Sequence, residues 1–384
     1  MTAWAEKKIK NMLEASGCEV NGANPWDPQI QDERTYDMVY RNGTLGAGES
    51  YMYGYWDCAR LDQLTERVAG LNSPIKRMGW KFLARVALSE LIQNHQSPAW
   101  AKRNAEHHYN IGNDLYQAML GETMAYSCAY WKDGDEVKAQ DLDAAQTAKF
   151  DLICRKLKLT EGMRLLDIGC GWGGLLSHAA KNYGVQAYGI TPASEQAAHI
   201  RANNPEVKVK ELDWRQLEEE QFDRVVSVGM FEHVGPKNYC RFFDKTTKLL
   251  KVDGMSLLHT IGAPHTRFYV DPFINKYIFP GGHIPSKQQI VRAAKGIFNI
   301  VDWHEIGKNY DNTLMAWNNN FQQARPVLSN IVDEHGNRKY NEQFMRMWEY
   351  YLQTSAGAFR IGTNLVFQAV LQRPQHSVLY NPVR

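Results

Sequence analysis

Residues Leu165–Gly174 read LLDIGCGWGG, an apolar run (Leu165, Leu166, Ile168) that stops in a turn at Gly169, Gly171, Gly173 and Gly174. A helix-like segment, Leu175 to Asn182, follows. Strand, glycine turn and helix in that order are how an α/β sheet brings backbone N–H groups and a helix N-terminus up to a ligand. The spacing is D-x-G-x-G-x-G, with Asp167 ahead of the first glycine, and not the dinucleotide fingerprint G-x-G-x-x-G. Glycines without a Cβ let the backbone approach what is bound.

Downstream, apolar segments alternate with helical ones. Strands are predicted at Arg164–Ile168, Val185–Ile190, Val207–Leu212, Asp223–Val228, Met255–Thr260 and Leu365–Leu371. Between the last two lie roughly a hundred residues, too many for an ordinary connection. That stretch is expected to hold an inserted lid or pocket wall carrying substrate specificity. Upstream, residues 1 to about 70 read as a small α+β unit, with a helix at Ala5–Ala15 and the glycine-punctuated stretch GTLGAGESYMYGYWD at Gly43–Asp57. Ile75–Ile92 reads as a basic amphipathic helix (Lys76, Arg77, Lys81, Arg85), an interdomain helix ahead of a membrane-surface one. The division is accordingly placed at 1–95, a small N-terminal domain with its linker helix, and 96–384, the catalytic domain.

The bulk numbers exclude several classes. With 384 residues, 44% of them hydrophobic, the chain can bury a large core. A net charge of +2 gives no reason to expect a nucleic-acid partner. Cys18, Cys58, Cys128, Cys154, Cys170 and Cys240 form no C-x-x-C pair, so no metal site or disulfide framework is expected, which fits a reducing cytosol. The N-terminal MTAWAEKKIKNML lacks a signal-peptide core. No apolar run approaches the ~20 residues of a bilayer span, so membrane contact would be peripheral. The 11 Trp, 19 Tyr and 14 Phe suit an apolar, cation-tolerant pocket.

In such sheets ligands sit beyond the carboxyl ends of the strands. The candidates there are Gly169, Cys170, Gly171 and Gly173 after the first strand, with Asp167 just before the first glycine, and Thr191 and Gln196 after the second. Asp213, Trp214 and Arg215 follow the third, and Gly229–Glu232 the fourth. Trp214 can wall an adenine and Asp213 can accept from its amino group. LLDIGCGWGG resembles motif I of the S-adenosylmethionine-dependent methyltransferases. Many of these end their second strand on an acid that holds the ribose. Here Ile190-Thr191 stands there, leaving Thr191 and Gln196 to make those hydrogen bonds.

Other strings narrow the resemblance: HYNIGNDLY (His108–Tyr116), AYSCAYWK (Ala125–Lys132), ITPASEQ (Ile190–Gln196), SVGMFEHVGPKNY (Ser227–Tyr239), LLHTIG (Leu257–Gly262), DPFINKYIFP (Asp271–Pro280) and YDNTLMAW (Tyr310–Trp317). With motif I they closely resemble the bacterial cyclopropane-fatty-acyl-phospholipid synthases, relatives of the mycolic acid cyclopropane synthases. The resemblance covers nearly the whole chain, including a small N-terminal domain that the shorter mycolic enzymes lack. It implies a class I methyltransferase fold, a Rossmann-like seven-stranded sheet with an inserted lid, plus the small α+β domain. It also implies transfer of a methylene group from S-adenosylmethionine to the cis double bond of an acyl chain in a membrane phospholipid, by a cytosolic enzyme, commonly a homodimer, touching the inner face of the bilayer.

By the same resemblance Tyr126 and Ser127 touch the cofactor. Cys128, Glu232, His259, Ile261 and Tyr310 cradle a bicarbonate ion acting as base. The backbone N–H groups of Cys128 and Ile261, with His259 and Tyr310, would donate to it. Glu232, at the end of the fourth strand, is read as functional, and His233 as a surface imidazole. Cys128 is read as pocket wall, since nothing nearby obviously lowers its pKa. Tyr130 and Trp131 read equally as core or pocket. Near the C-terminus related enzymes carry A-C-A-G-A-F where this chain has TSAGAF, so Ser355 is expected to line the pocket and no thiolate is available there. Rival readings are a fatty-acid C-methyltransferase with methyl-branched or methylene products, and an inactive lipid-binding homologue. Intact Gly169, Gly171, Glu232 and His259 argue against the latter.

Overall fold

The computed structural model describes residues 2–70, 111–131, 142–218, 221–267, 270–376 and 378–384. The Ile75–Ile92 segment, His108–Asn110 and Lys132 lie outside them. Two compact units are formed. The first takes the described residues of Met1–Gln93, Phe268–Pro280 and Leu314–Thr363, and the second those of Asn94–Arg267, Gly281–Thr313 and Asn364–Arg384. The long segment after the fifth strand is thus divided between the units, and no single cut near residue 95 describes them.

The second unit is built on a seven-stranded sheet: β1 (Arg164–Ile168), β2 (Gln186–Thr191), β3 (Val207–Glu211), β4 (Phe222–Val228), β5 (Leu250–Gly262), β6 (Asn299–Glu305) and β7 (Leu365–Gln372). Its order is β3-β2-β1-β4-β5-β7-β6. Strands β1 to β5 pair in parallel, and β7 runs antiparallel to both β5 and β6. The order reverses beside β1, so β1 and β4 open a crevice at their carboxyl ends.

The central β1 reads as a continuous apolar run because both its faces are covered. Leu166 and Ile168 pack with Phe231, Phe242, Phe243 and Ile290. Leu165, on the opposite face, packs with Phe150, Ile153, Leu176 and Ala179. Helices Leu142–Lys156 and Gly174–Tyr183 supply the second group, and the turn Phe231–His233 with helices Tyr239–Leu249 and Lys287–Ala294 the first. The predicted strands all form, β5 being longer than its apolar part because it continues back through Leu250–Gly254.

The sequence pattern does not show β6. Its residues, NIVDWHE, lie at the sheet edge and are mostly half-buried or exposed, so they carry no apolar signature. Asp302 is buried in β6 because it meets Lys156 at 3.2 Å and the Arg384 guanidinium through two bonds of 2.8 Å.

In the first unit, helices Thr2–Ala15, Arg34–Asn42, Thr44–Met52, Leu61–Gly70 and Glu342–Arg360 accompany a two-stranded ladder, Gln29–Ile30 with Trp56–Asp57. Gly46 and Gly48 of GTLGAGESYM sit within a helix, which Gly43 precedes as its N-cap. A Cβ on Gly46 would strike the Met38 carbonyl of the neighbouring helix, so that glycine serves close packing and not a turn. Arg346 ties the unit together by donating to the carbonyls of Tyr51 (2.6 Å) and Trp56 (2.8 Å) and to the Asp57 carboxylate (2.6 Å).

Candidate active site

The crevice holds a cavity of about 160 Å³. The glycine turn forms its floor. Gly169, Gly171 and Gly173 have φ of 85°, 55° and 85°, a region that suits glycine. A Cβ on Gly169 would lie 2.5 Å from the Met230 side chain, whereas one on Gly171 would meet nothing within 4 Å. Gly169 and Cys170 donate backbone N–H groups to the Ile190 carbonyl, at 3.0 and 3.1 Å, and this clamps the turn to the end of β2.

Tyr126, Ser127, Asp167, Gly169, Cys170, Gly171, Thr191, Gln196, Asp213, Trp214 and Arg215 all line this cavity. Of the positions expected at the cofactor, only Gly173 does not, since it caps the helix Gly174–Tyr183 from behind. Thr191 Oγ donates to Gln196 Oε1 at 2.7 Å. That leaves the buried Gln196 Nε2 without a partner among the described residues. Asp167 Oδ1 is likewise buried and unpartnered. These orphans, a donor beyond β2 and an acceptor near the carboxyl end of β1, fit the ribose hydroxyls and the ammonium group of an adenosylated amino acid. Trp214 supplies the aromatic wall and packs edge-on to Phe242 at 5.4 Å. Asp213 is more committed than expected. It caps the turn Trp214–Gln216 by accepting from the Arg215 N–H (2.9 Å) and pairs with that guanidinium through two bonds of 2.6 Å.

Three residues enter this site that the sequence reading missed or set aside. His233 is no surface imidazole. It lines the cavity, and burial pulls its pKa down to about 4, so it is neutral. Trp172 closes the loop side, its indole N–H bonded to Asn113 Oδ1 at 3.1 Å. Lys149 is fully buried and also reaches the cavity. The overlooked signal is its position. On helix Leu142–Lys156 it falls at i, i+3, i+4, i+7 spacing with Leu142, Ala145, Gln146 and Ile153, where an apolar residue belongs.

The expected catalytic group is placed as follows. Glu232 lies in the turn Phe231–His233, between two cavity residues, Met230 and His233. Its Oε1 accepts from the Ile261 N–H at 2.6 Å, and Oε2 is buried without a partner among the described residues. Burial pushes the carboxyl up to about 7, against the lowering effect of that N–H. The Ile261 donor is therefore occupied by Glu232, which corrects the expectation that it faces an external anion: one N–H makes one good bond. His259, two residues before Ile261 on β5, is buried. Burial, with the charges of Lys149 and Lys156, holds its pKa well below the usual imidazole range. Gln368 Nε2 donates to His259 Nδ1 at 3.2 Å, so the neutral ring carries its proton on Nε2.

Cys128 and Tyr310 belong to one hydrogen-bonded frame. Ala129 N–H and the Trp131 indole donate to Thr313 Oγ1 at 3.1 and 3.0 Å, and Trp131 N–H donates to Asn309 Oδ1 at 2.6 Å. The AYSCAYW strand of chain is thereby pinned to the start of helix Lys308–Leu328, where the buried Tyr310 sits. Burial raises the Cys128 thiol far above its ordinary value, so it is no nucleophile. Ser355 lies half-buried on helix Glu342–Arg360 of the first unit.

Comparison with known proteins agrees with this geometry. A family model described as mycolic acid cyclopropane synthetase matches residues 96–369. The cyclopropane-fatty-acyl-phospholipid synthase of Escherichia coli K12 is 44% identical over 366 residues, 94% of this chain and 92% of that one. The tuberculostearic acid methyltransferase of Mycobacterium tuberculosis is 32% identical, over 94% of this chain and 87% of that one. The crystal structure of mycolic acid cyclopropane synthase CmaA1 complexed with SAH and CTAB superposes with a TM-score of 0.62. It shares 33% identity and covers 71% of this chain and 98% of its own. The sheet is that of the class I methyltransferases, and the chain belongs to the mycolic acid cyclopropane synthetase family.

Proposed function

We propose that the protein is an S-adenosylmethionine-dependent cyclopropane-fatty-acyl-phospholipid synthase, transferring a methylene group to the cis double bond of phospholipid acyl chains. The observation that carries this reading is one juxtaposition. A cavity with orphan groups suited to an adenosylated amino acid adjoins a dry carboxyl, Glu232, in the turn that Met230 precedes and His233 ends. The 44% identity to the Escherichia coli synthase supports the choice of substrate.

When bound, the cofactor supplies an electrophilic methyl group on a sulfonium. An alkene attacks such a carbon poorly. Methyl transfer leaves a carbocation on the acyl chain, which must survive until the new methyl loses a proton and the ring closes. The chain's own groups meet those needs. Neutral His233 and His259 add no positive charge beside the developing cation. Glu232, titrating near neutrality, can carry negative charge opposite it. Were a bicarbonate ion to bind there, His259 Nε2–H and the Tyr310 hydroxyl would be its donors and the ion would serve as proton acceptor. The reading also places the enzyme on the cytoplasmic face of the bilayer as a peripheral homodimer. Among the described residues no helix is long and apolar enough to cross a membrane.

The test is incubation with methyl-labelled cofactor and vesicles of cis-unsaturated phospholipid, with the acyl products resolved by mass and proton NMR. A cyclopropane ring is expected. A methyl or methylene branch would instead support the second reading, which the likeness to the tuberculostearic acid methyltransferase favours. Removing bicarbonate from degassed buffer should slow the ring-forming reaction, and an unchanged rate would dismiss bicarbonate as the base.

A further inference from the structure

Lys149 takes no step in the chemistry above, yet its amine is fully buried at the cofactor cavity, where burial pulls its pKa down to about 7. A buried ammonium is costly unless it is paired or used. Among the described residues its hydrogen bond goes to a neutral group, Ser127 Oγ, at 2.7 Å. It couples electrostatically to Cys128 and to Asp167, and the Asp167 Oδ1 is buried without a partner among the described residues. Simple tethering of the Tyr126-Ser127 segment does not explain the lysine. Gln146, one turn earlier on the same helix, already donates to the carbonyls of Ala125 (3.2 Å) and Ser127 (3.0 Å).

The direction of the Lys149 bond is informative. An ammonium can only donate, so it occupies a lone pair of Ser127 Oγ and leaves the hydroxyl proton to point elsewhere. Ser127 lines the cavity, so its hydroxyl becomes an oriented donor with a positive charge behind it. Asp167 lines the same cavity as an acceptor, its carboxyl pushed up by burial to about 7. A positive-backed donor and an acceptor complement the carboxylate and ammonium ends of a zwitterionic amino acid.

We propose that Lys149 is a positioning residue for the amino-acid end of the cofactor. Acting through Ser127, and coupled electrostatically to Asp167, it gives the pocket its affinity for an α-carboxylate. This rests on the S-adenosylmethionine reading and extends it to a residue that acts behind the contact surface.

Two ligands separate this role from a structural one. S-Adenosylhomocysteine carries the amino-acid group, and 5′-methylthioadenosine shares the adenosine and sulfur but lacks it. Calorimetric titration of the full-length wild-type chain should show binding of both. If neither binds, the cofactor reading itself fails. Lys149→Met should weaken S-adenosylhomocysteine roughly 10- to 100-fold, the usual effect of losing a charge-backed hydrogen bond, while changing 5′-methylthioadenosine by no more than about twofold. Ser127→Ala should reproduce most of that loss, and the double variant should be no worse than Lys149→Met alone. Should Lys149→Met not fold, the split between the two ligands in Ser127→Ala carries the test. Wild-type affinity for S-adenosylhomocysteine in either variant, or equal weakening of both ligands, would overturn the proposal.

Discussion

At the scale of single residues, Glu232 concentrates the argument, because its environment and not its identity makes it useful. Its carboxyl is dry, fixed by one backbone N–H and left with a free oxygen. Glu232→Gln keeps the shape and removes the charge. Methylene transfer should fall by about 10²- to 10⁴-fold, with S-adenosylhomocysteine affinity unchanged. Normal turnover would remove Glu232 from the catalytic set. The same burial makes a stability prediction. The folded carboxyl titrates near 7 against an ordinary 4.5, so between those pH values the folded chain holds a proton that the unfolded chain has lost. This group's contribution is therefore complete below the lower value and is lost as the pH rises to the upper one, a change of about 3 kcal/mol. Urea unfolding of the wild type and Glu232→Gln across that window should show the variant gaining relative stability as pH rises. A pH-independent difference would mean the carboxyl is not desolvated.

At the scale of elements, two segments show what holds the crevice in place. The glycine turn needs positive φ at Gly169 and room for Met230. Gly169→Ala places a methyl group against that side chain and should cost about 1–2 kcal/mol. It should also weaken S-adenosylhomocysteine, as a titration would show; unchanged affinity would mean the turn does not have to approach a ligand. The edge strand β6 depends on a buried charge cluster instead of apolar burial. Asp302 meets Lys156 and Arg384, and Lys156 is fully buried. Asp302→Asn leaves that cation poorly paired and should destabilise the chain by about 3–5 kcal/mol, read from the denaturant midpoint. A loss within the range of an exposed ion pair, under about 1 kcal/mol, would show the cluster to be solvated. This dependence on pairing is why β6 escaped a reading based on apolar periodicity while β1, β2 and β4 did not.

At the scale of the whole molecule, cofactor binding and folding are linked. A ligand held only by the folded chain should stabilise it by about 2.7 kcal/mol at one hundred times its dissociation constant. S-adenosylhomocysteine should therefore raise the thermal midpoint in a concentration-dependent way, and a midpoint insensitive to saturating ligand would count against an intact cavity. The parallel strands, the glycine turn and most of the cavity wall were legible in the linear chain, since apolar runs bounded by glycines and placed at strand ends are local features with a local physical cause. Other features were not. His233 passes for a surface imidazole in sequence, and the Ile261 N–H for a free donor, because burial and hydrogen-bond partners are set by segments distant along the chain. The division of the long post-β5 stretch between two units has no compositional mark either. Sequence by itself determined the class of fold and the nucleating loop, because periodicity and glycine conformation act over a few residues. Only the tertiary structure decided which polar groups are dry, which are already paired, and that a lysine on an apolar helix face stands behind Ser127, because desolvation and charge pairing depend on what the fold brings together.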